Sequence, residues 1–250
     1  MPARSLAPPL APASLTPRFA LTHLWLPVVI GTAAFTLLMG FGGDQWVADH
    51  LFKLEGGRWA LQDAWLTRAV LHRAGKWLST AAALMALLLC FHHWRHGRDR
   101  VLRWALLYVV LAIALGTGTV SLLKSLVPMD CPWDLLRYGG HAPYIGLFST
   151  RPAGMAAPAC FPAGHASAGY AWLCLYFFAL LWRPAWRWPA LSIGLGSGLV
   201  FGIGQQLRGA HFLSHDIATA LICWLLSLGL FLAVKRVLAR PLRRRQGASA

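Results

Sequence analysis

Six long apolar runs constrain the fold of this chain more than any other feature of its sequence. They cover residues 22–41, 77–93, 102–123, 165–182, 189–206 and 213–234. Each is close to the roughly 20 residues that an α-helix needs to cross the hydrocarbon core of a bilayer. The sequence therefore predicts an all-α membrane protein whose six transmembrane helices form one helical bundle.

The composition agrees with a membrane protein. Hydrophobic residues make up 57% of the chain and charged residues 12%, whereas about 25% of residues are charged in an ordinary soluble domain. We predict one membrane domain over residues 22–235, with its polar motifs in a core at 101–235. Residues 1–21, rich in Pro, Ala and Ser, are predicted to form a disordered leader, and residues 236–250 a basic tail.

The basic residues divide unequally between the two sides of the predicted bundle. The side with both termini carries 14 basic residues and one acidic residue, and the other side carries nine basic and seven acidic residues. This is the positive-inside pattern, which predicts a bacterial inner-membrane protein with cytoplasmic termini. Topology thus accounts for the overall charge of +15, and nucleic-acid binding is not expected.

Two long segments lie on the opposite, periplasmic side in this topology. Residues 42–76 mix aromatic and aliphatic side chains with charges, a pattern typical of amphipathic pieces at the membrane interface. Residues 124–163 are rich in Pro and Gly and lack helical periodicity. A loop of that length in a compact domain is usually functional.

The second of these loops begins and ends with groups that suit a phosphate. It opens with Lys124, and an ammonium group at the end of a span can bind a phosphate oxygen. It closes on Pro162, Ala163, Gly164 and His165. Proline favours a helix start, so the amides of Ala163, Gly164 and His165 are predicted to point outward at a helix N-terminus and bind an anion.

Another polar run separates the last two apolar segments. Its residues are Arg208, Gly209, Ala210, His211, Phe212, Leu213, Ser214, His215 and Asp216. Positions three and four apart share a helix face, so Arg208, His211 and His215 could converge on one phosphate. Ionisable side chains beside membrane spans are costly and usually functional.

Together with the stretch from Lys124 to Pro132, these runs resemble the three motifs of the type 2 phosphatidic acid phosphatase family. Its superfamily also includes the vanadium haloperoxidases. The family motifs are Lys, six residues, Arg-Pro; then Pro-Ser-Gly-His; then Ser-Arg, five residues, His, three residues, Asp. The resemblance covers residues 101–235, and it implies a bacterial membrane-bound lipid phosphatase.

The resemblance also implies roles for particular residues. His211 would attack phosphorus to form a phosphohistidine, and His165 would protonate the leaving oxygen and later activate water. Lys124, Arg208 and the helix N-terminus at Gly164 would bind the phosphate. Because these groups can stabilise the charge, neither a metal nor a cofactor is expected.

The third motif departs from the family pattern at the positions of its arginine and its aspartate. Gln205 stands where the family has arginine; it either donates a neutral hydrogen bond to the phosphate or caps the fifth span. His215 stands at the position of the family aspartate, one residue before Asp216. We expect Asp216 to orient the His211 ring if Ser214 breaks the helix as N-cap of the last span. His215 is the competing candidate.

The first motif has Cys131 where the family has arginine, and a thiol cannot make a bidentate phosphate contact. Arg137 in the same loop is the first candidate to supply the missing guanidinium, and Arg151 is the second. Of the five cysteines, Cys131 and Cys160 lie outside the predicted spans. We hypothesise a disulfide between them in an oxidising periplasm; the alternative is two free thiols buried by the loop.

The sequence thus predicts an inner-membrane hydrolase of lipid metabolism that cleaves a lipid phosphate or diphosphate at the periplasmic face. The substrate classes are isoprenoid diphosphates, phosphatidate or phosphatidylglycerol phosphate, and the phosphates of lipid A. One alternative is a phosphotransferase that passes the phosphate to a lipid acceptor. The other is a non-catalytic protein of the same fold that binds or translocates lipids.

Overall fold

The computed structural model describes residues 16–147, 149–155 and 158–240. Within these ranges the chain is helical, with two isolated β-bridges and no strand. Seven helices of the described residues are numbered here in chain order. They are α1 (Pro17–Gly40), α2 (Gly43–Leu54), α3 (Leu66–His96), α4 (Arg100–Leu126), α5 (Gly164–Trp182), α6 (Arg187–Gln206) and α7 (Leu213–Ala239).

Five of these helices, α1, α3, α4, α5 and α7, are long and apolar enough to cross a membrane. The chain is thus a multi-pass membrane protein, and the predicted all-α fold is confirmed. Helix α6 has the 20 residues that a span requires. Five of them are glycine, which keeps its apolarity below that of the others. The count of six spans therefore stays a prediction.

The helices at the two ends of the chain extend past the predicted domain limits. Helix α1 begins at Pro17, where the Thr16 hydroxyl accepts a hydrogen bond from the Phe19 amide. It therefore includes the end of the leader predicted for residues 1–21. Helix α7 continues to Ala239. The rest of the predicted leader and the tail from residue 241 lie outside the described residues.

Helices α4, α5 and α7 form the main hydrophobic core, in which Tyr108, Phe177 and Phe231 are buried. Helix α6 packs closely against this core at glycine residues. A Cβ atom added to Gly169 of α5 would lie 2.6 Å from the Cα atom of Gly198 in α6. The backbones of the two helices can approach this closely because neither glycine has a side chain.

Helix α2 is attached to the start of α7 by a buried carboxylate. Asp44 accepts hydrogen bonds from the amide of Ser214 at 2.9 Å and from its hydroxyl at 2.5 Å. An acceptor in this position satisfies an amide that has no partner within the first turn of a helix. Ser214 is not the N-cap that we predicted, since Phe212 occupies that position with an extended backbone. We call this end of the bundle the site end.

Candidate active site

A cavity of about 360 Å³ lies at the site end, among α3, α4, α5, α6 and the segment before α7. We call it the active-site cavity. Its lining combines imidazole, ammonium, guanidinium and amide groups with small residues. The lining residues are His72, Lys76, Lys124, Cys131, Trp133, Gly164, His165, Ala168, Gln205, Arg208, Ala210 and His211. No aspartate or glutamate lines the cavity in the described part of the chain, so the cavity suits an anion.

His165 lies in the first turn of α5, on one side of the cavity. Its Nε2 atom is 3.1 Å from the carbonyl oxygen of Leu71, and its ring centroid is 4.4 Å from that of His72. If Nε2 donates its proton to that carbonyl, the Nδ1 atom is left for the cavity. The carbonyl of Leu71 thus fixes the orientation of the His165 ring.

The start of α5 only partly provides the predicted anion site. Gly164 lines the cavity, and a Cβ atom added there would lie 3.4 Å from Cδ of Lys124. The Lys124 side chain therefore runs beside the backbone of this helix N-terminus. The amide of Ala163 faces elsewhere, because it donates to the carbonyl of His215 at 3.4 Å. Of the three predicted amides, those of Gly164 and His165 belong to residues on the cavity wall.

His211 belongs to the short segment between α6 and α7. This segment turns at Gly209, whose φ of +68° favours glycine, and a Cβ atom there would lie 2.5 Å from the indole of Trp59. The His211 ring is buried beside His215, with 3.4 Å between the two Nδ1 atoms. Burial, together with His215 and Lys124, lowers the pKa of His211 well below its ordinary value of 6.5. The ring is therefore neutral at pH 7.

Arg208 is held rigidly at the edge of the cavity. Its Nε atom donates to the carbonyl oxygen of Gln62 at 2.7 Å, and its Nη1 atom donates to Oε1 of Gln205 at 3.1 Å. The Gln205 amide nitrogen in turn lies 3.2 Å from Nδ1 of His72. Gln205 therefore links the guanidinium to an imidazole on α3, and it lines the cavity rather than capping α6.

Asp216 does not orient His211 in this structure, contrary to our expectation. Its Oδ2 atom accepts a hydrogen bond from the Gln206 amide at 2.5 Å, and its carboxylate packs against Gly202 of α6. Because α7 is regular from Leu213 onward, adjacent residues point about 100° apart. His215 therefore faces His211 while Asp216 faces α6. The competing candidate, His215, is the residue whose ring lies beside that of His211.

Neither loop arginine supplies the guanidinium missing at Cys131. Arg137 pairs with Asp49 of α2, with its side chain 56% exposed. Arg151 pairs with Asp130. Neither arginine lines the active-site cavity. The three-residue 3₁₀ turn that carries Arg137 directs it toward α2, so its closeness to Lys124 in sequence does not become closeness in space.

His72 and Lys76 of α3 are cavity residues that sequence reasoning missed. They stand four residues apart and so share a helix face. Both lie in the first half of α3, at the end of the predicted interfacial segment 42–76 and just before the predicted second span. An imidazole and an ammonium group one helical turn apart, directly before an apolar run, are ionisable groups of the kind that is usually functional beside a membrane. That spacing was the signal that could have revealed them.

Cys131 and Cys160 form a disulfide, with Cα atoms 5.3 Å apart. The Cys160 amide also donates to the carbonyl of Met129 at 3.1 Å. The two ends of the long loop therefore lie close together. The Cys160 sulfur and ring nitrogens of His211 and His215 lie within 4.8 Å of one another. A disulfide sulfur is not the thiolate that metals prefer, so this group is a poor metal site.

Residues 105–238, more than half of the chain, match the family model described as the PAP2 superfamily. Searches of curated proteins and of solved structures found no match. The matched range contains all three motifs and most of the cavity lining, and members of this superfamily are generally phosphatases. The chain therefore belongs to the type 2 phosphatidic acid phosphatase (PAP2) superfamily as a multi-pass membrane member.

Proposed function

We propose that this protein is a membrane phosphatase that hydrolyses a lipid phosphate or diphosphate through a phosphohistidine on His211. One observation carries the proposal. His165 and His211 line the same cavity as Lys124 and Arg208, and no carboxylate lines that cavity in the described residues. Two imidazoles and two cations around one anion site are the groups that phosphoryl transfer to a histidine requires.

The first step forms the covalent intermediate. Because Nδ1 of His211 faces Nδ1 of His215, the Nε2 atom of His211 is the nitrogen available to phosphorus. Its lone pair attacks and the bond between phosphorus and the lipid oxygen breaks. That oxygen takes the Nδ1 proton of His165, whose ring is protonated on both nitrogens when the phosphate is bound. The lipid alcohol, or lipid monophosphate from a diphosphate, then leaves.

The second step releases inorganic phosphate. His165, now neutral, accepts a proton from a water molecule, whose oxygen attacks phosphorus while the bond to His211 Nε2 breaks. Lys124, Lys76 and Arg208 neutralise the equatorial oxygens in both steps, assisted by the N-terminus of α5 at Gly164.

The placement of the cavity supports a lipid substrate. It lies where α4 and α6 end and α5 begins, so a headgroup can enter it while the hydrocarbon tail stays in the bilayer. The charge asymmetry of the sequence supports a periplasmic site end in a bacterial inner membrane, because the opposite side carries the excess of arginine and lysine.

The test measures phosphate release from a panel of lipid phosphates by the purified full chain in detergent. We expect His211→Ala to abolish release and to prevent formation of an acid-labile phosphoprotein. The matched control is His141→Ala, since His141 is exposed and does not line the cavity. Release that is unaffected by His211→Ala would refute the phosphatase. Release that requires an added lipid acceptor would identify a phosphotransferase.

A further inference from the structure

A cavity of about 430 Å³ lies between α5 and α6 at the end of the bundle opposite the site end. We call it the hairpin groove, because the short turn Pro184–Trp186 joins the two helices there. We define it by Phe178, Trp182, Arg183, Trp186, Ala190 and Ile193. None of these residues lines the active-site cavity, and the proposed hydrolysis does not use them.

Small residues account for the space in the groove. The backbones of α5 and α6 touch on the site-end side of it, where a Cβ atom added to Gly194 would lie 2.5 Å from the amide nitrogen of Leu173. From residue 187 to residue 193, α6 has no glycine, so side chains separate the two helices near the turn. Ala179 and Ala190 line the groove, and their methyl groups are too small to fill that separation.

The mouth of the groove at the turn carries a cation and two indole donors. The Arg183 guanidinium lies 5.0 Å from the ring centroid of Trp182, and it makes no hydrogen bond or ion pair with any described residue. The indole N–H groups of Trp182 and Trp186 also lack an acceptor within the described ranges. Tryptophan is enriched where hydrocarbon meets headgroups, and a guanidinium suits the oxygens of a phosphate.

The charges around the mouth favour an anion. All eight acidic residues of the chain lie within the described ranges, and seven of them belong to the site end. The eighth, Asp99, accepts hydrogen bonds from two amides at the start of α4. A second cation, Arg187, begins α6 at the same turn, with its guanidinium 5.4 Å from the ring centroid of Trp188. An anionic group is therefore the partner that suits this mouth.

Away from the mouth the groove is apolar and runs along the two helices. Trp182 and Leu175 both line it, and seven residues of α5 span about 10 Å of the helix axis. Phe178 forms one wall, and the exposed side chain of Ile193 on α6 forms the other. A cation at one end and an apolar channel along a membrane-spanning helix match the phosphate and the first part of an acyl chain of a phospholipid.

We propose that the hairpin groove binds an anionic phospholipid, with the lipid phosphate on Arg183 and one acyl chain between α5 and α6. The site is separate from the active-site cavity, and the proposal does not depend on the phosphatase function. In the proposed topology the groove lies in the cytoplasmic leaflet. A second copy of this chain is a poorer occupant, because its own turn between α5 and α6 carries the same arginines and no carboxylate.

The experiment counts lipids bound to the purified full chain by native mass spectrometry in detergent. Phosphatidylglycerol is compared with phosphatidylethanolamine and phosphatidylcholine of the same acyl chains; all three are phosphodiesters, so none offers a terminal phosphate to the active site. The test variants are Arg183→Ala, at an exposed position, and Ala190→Phe, which fills the groove and keeps the arginine. One control is Arg95→Ala, because Arg95 is an exposed cation 4.7 Å from the Phe91 ring centroid, at the same end and outside the groove. The other is Lys76→Ala in the active-site cavity.

We expect the wild type to bind one phosphatidylglycerol about fivefold more tightly than either zwitterionic lipid, the factor that one arginine near anionic lipid contributes. Arg183→Ala should remove this preference, and Ala190→Phe should remove the bound lipid. Both control variants should keep the lipid and the preference.

Four results would overturn the proposal. The first is equal binding of the three lipids, and the second is a preference that Arg183→Ala keeps. The third is a preference that a control variant loses as well, since Arg95→Ala would then report general charge attraction and Lys76→Ala would report binding in the active-site cavity. The fourth is a dimer, without a bound lipid, that Ala190→Phe dissociates, because a second copy would then cover the groove.

Discussion

The Nδ1 atoms of His211 and His215 lie 3.4 Å apart, and both rings are buried. In the family pattern an aspartate occupies the second position, so here the partner beside the proposed nucleophile is a neutral imidazole instead of a carboxylate. A neutral acceptor can fix which nitrogen of His211 carries the proton without adding a charge to the site. We assign the proton of the pair to Nδ1 of His211, because that tautomer leaves a lone pair on Nε2 for attack on phosphorus.

Removing the acceptor should damage catalysis more than binding. For His215→Ala we expect kcat to fall by about 10- to 100-fold with little change in KM, because the His211 ring loses its fixed tautomer. His215→Asn places a side-chain oxygen near the position of Nδ1 and should restore most of kcat. Steady-state kinetics on one lipid phosphate distinguishes the two variants. Equal loss in both would show that His215 only fills space.

The lowered pKa of His211 predicts the acid limit of activity. The neutral ring persists as the pH falls through 6.5, and the lone pair is lost only when the pH falls through the lower pKa of the folded protein. The half-point of the acid side of the kcat/KM profile, which reports groups of the free enzyme, should therefore lie below pH 6.5. The free energy of unfolding should also decrease below pH 6.5, since the unfolded chain binds the proton first. A kcat/KM half-point at or above pH 6.5 contradicts the prediction.

Lys76 should contribute to binding of the anion, although no family motif includes it. For Lys76→Ala we expect KM for a lipid phosphate to rise by about five- to twentyfold, because one cation is removed from the cavity wall. Arg73→Ala is the matched control, since Arg73 lies on the same helix and does not line the cavity. If both variants raise KM equally, the effect is one of general charge rather than contact.

Asp44 should stabilise the start of α7. For Asp44→Ala we expect the free energy of unfolding to fall by about 2–3 kcal/mol, because the buried Ser214 amide and hydroxyl lose their acceptor. Asp44→Asn keeps one acceptor oxygen and should cost about 1 kcal/mol. Thermal unfolding in detergent measures both, with Asp63→Ala as control because that side chain is 70% exposed. An Asp44→Ala protein as stable as the control would contradict a stabilising role for the hydrogen bonds between Asp44 and Ser214.

The disulfide fixes the number of cysteine thiols that can be alkylated. Cys90, Cys174 and Cys223 are free and buried. Alkylation of the denatured, unreduced protein should label three thiols, and prior reduction should raise the number to five. Mass spectrometry of the intact chain reads both values. Labelling of all five thiols without reduction would exclude the link between Cys131 and Cys160.

The helices and the motif residues could be predicted because both depend on local sequence. Apolar runs of membrane-spanning length locate α1, α4, α5 and α7 to within a few residues at most ends. The second span was predicted from residue 77, whereas α3 begins at Leu66. Its first nine residues, which form a π-helix, are more polar than a membrane span and lack a continuous apolar run. The predicted span therefore did not include His72, which lies among these nine residues.

The partners of the motif residues could not be predicted, because they come from distant parts of the chain. The carbonyl that holds Arg208 belongs to Gln62, 146 residues earlier. The carboxylate that binds Ser214 belongs to Asp44, 170 residues earlier. Such pairs depend on how the helices pack, and no spacing within a motif encodes them. The same reason explains why Arg137, close to Lys124 in sequence, lies on the surface with Asp49.

The packing of Trp59 against Gly209 also affects how the matched segment of this chain should be regarded. The family range begins at residue 105, yet Asp44, Trp59, Gln62 and Lys76 all precede it and support or line its catalytic cavity. A fragment that began at residue 105 would keep every motif. It would lack the Gln62 carbonyl that accepts from Arg208 and the Asp44 carboxylate that accepts from Ser214 at the start of α7. Residues 44–76 are therefore part of the proposed catalytic unit, which is larger than the range that the family model matches.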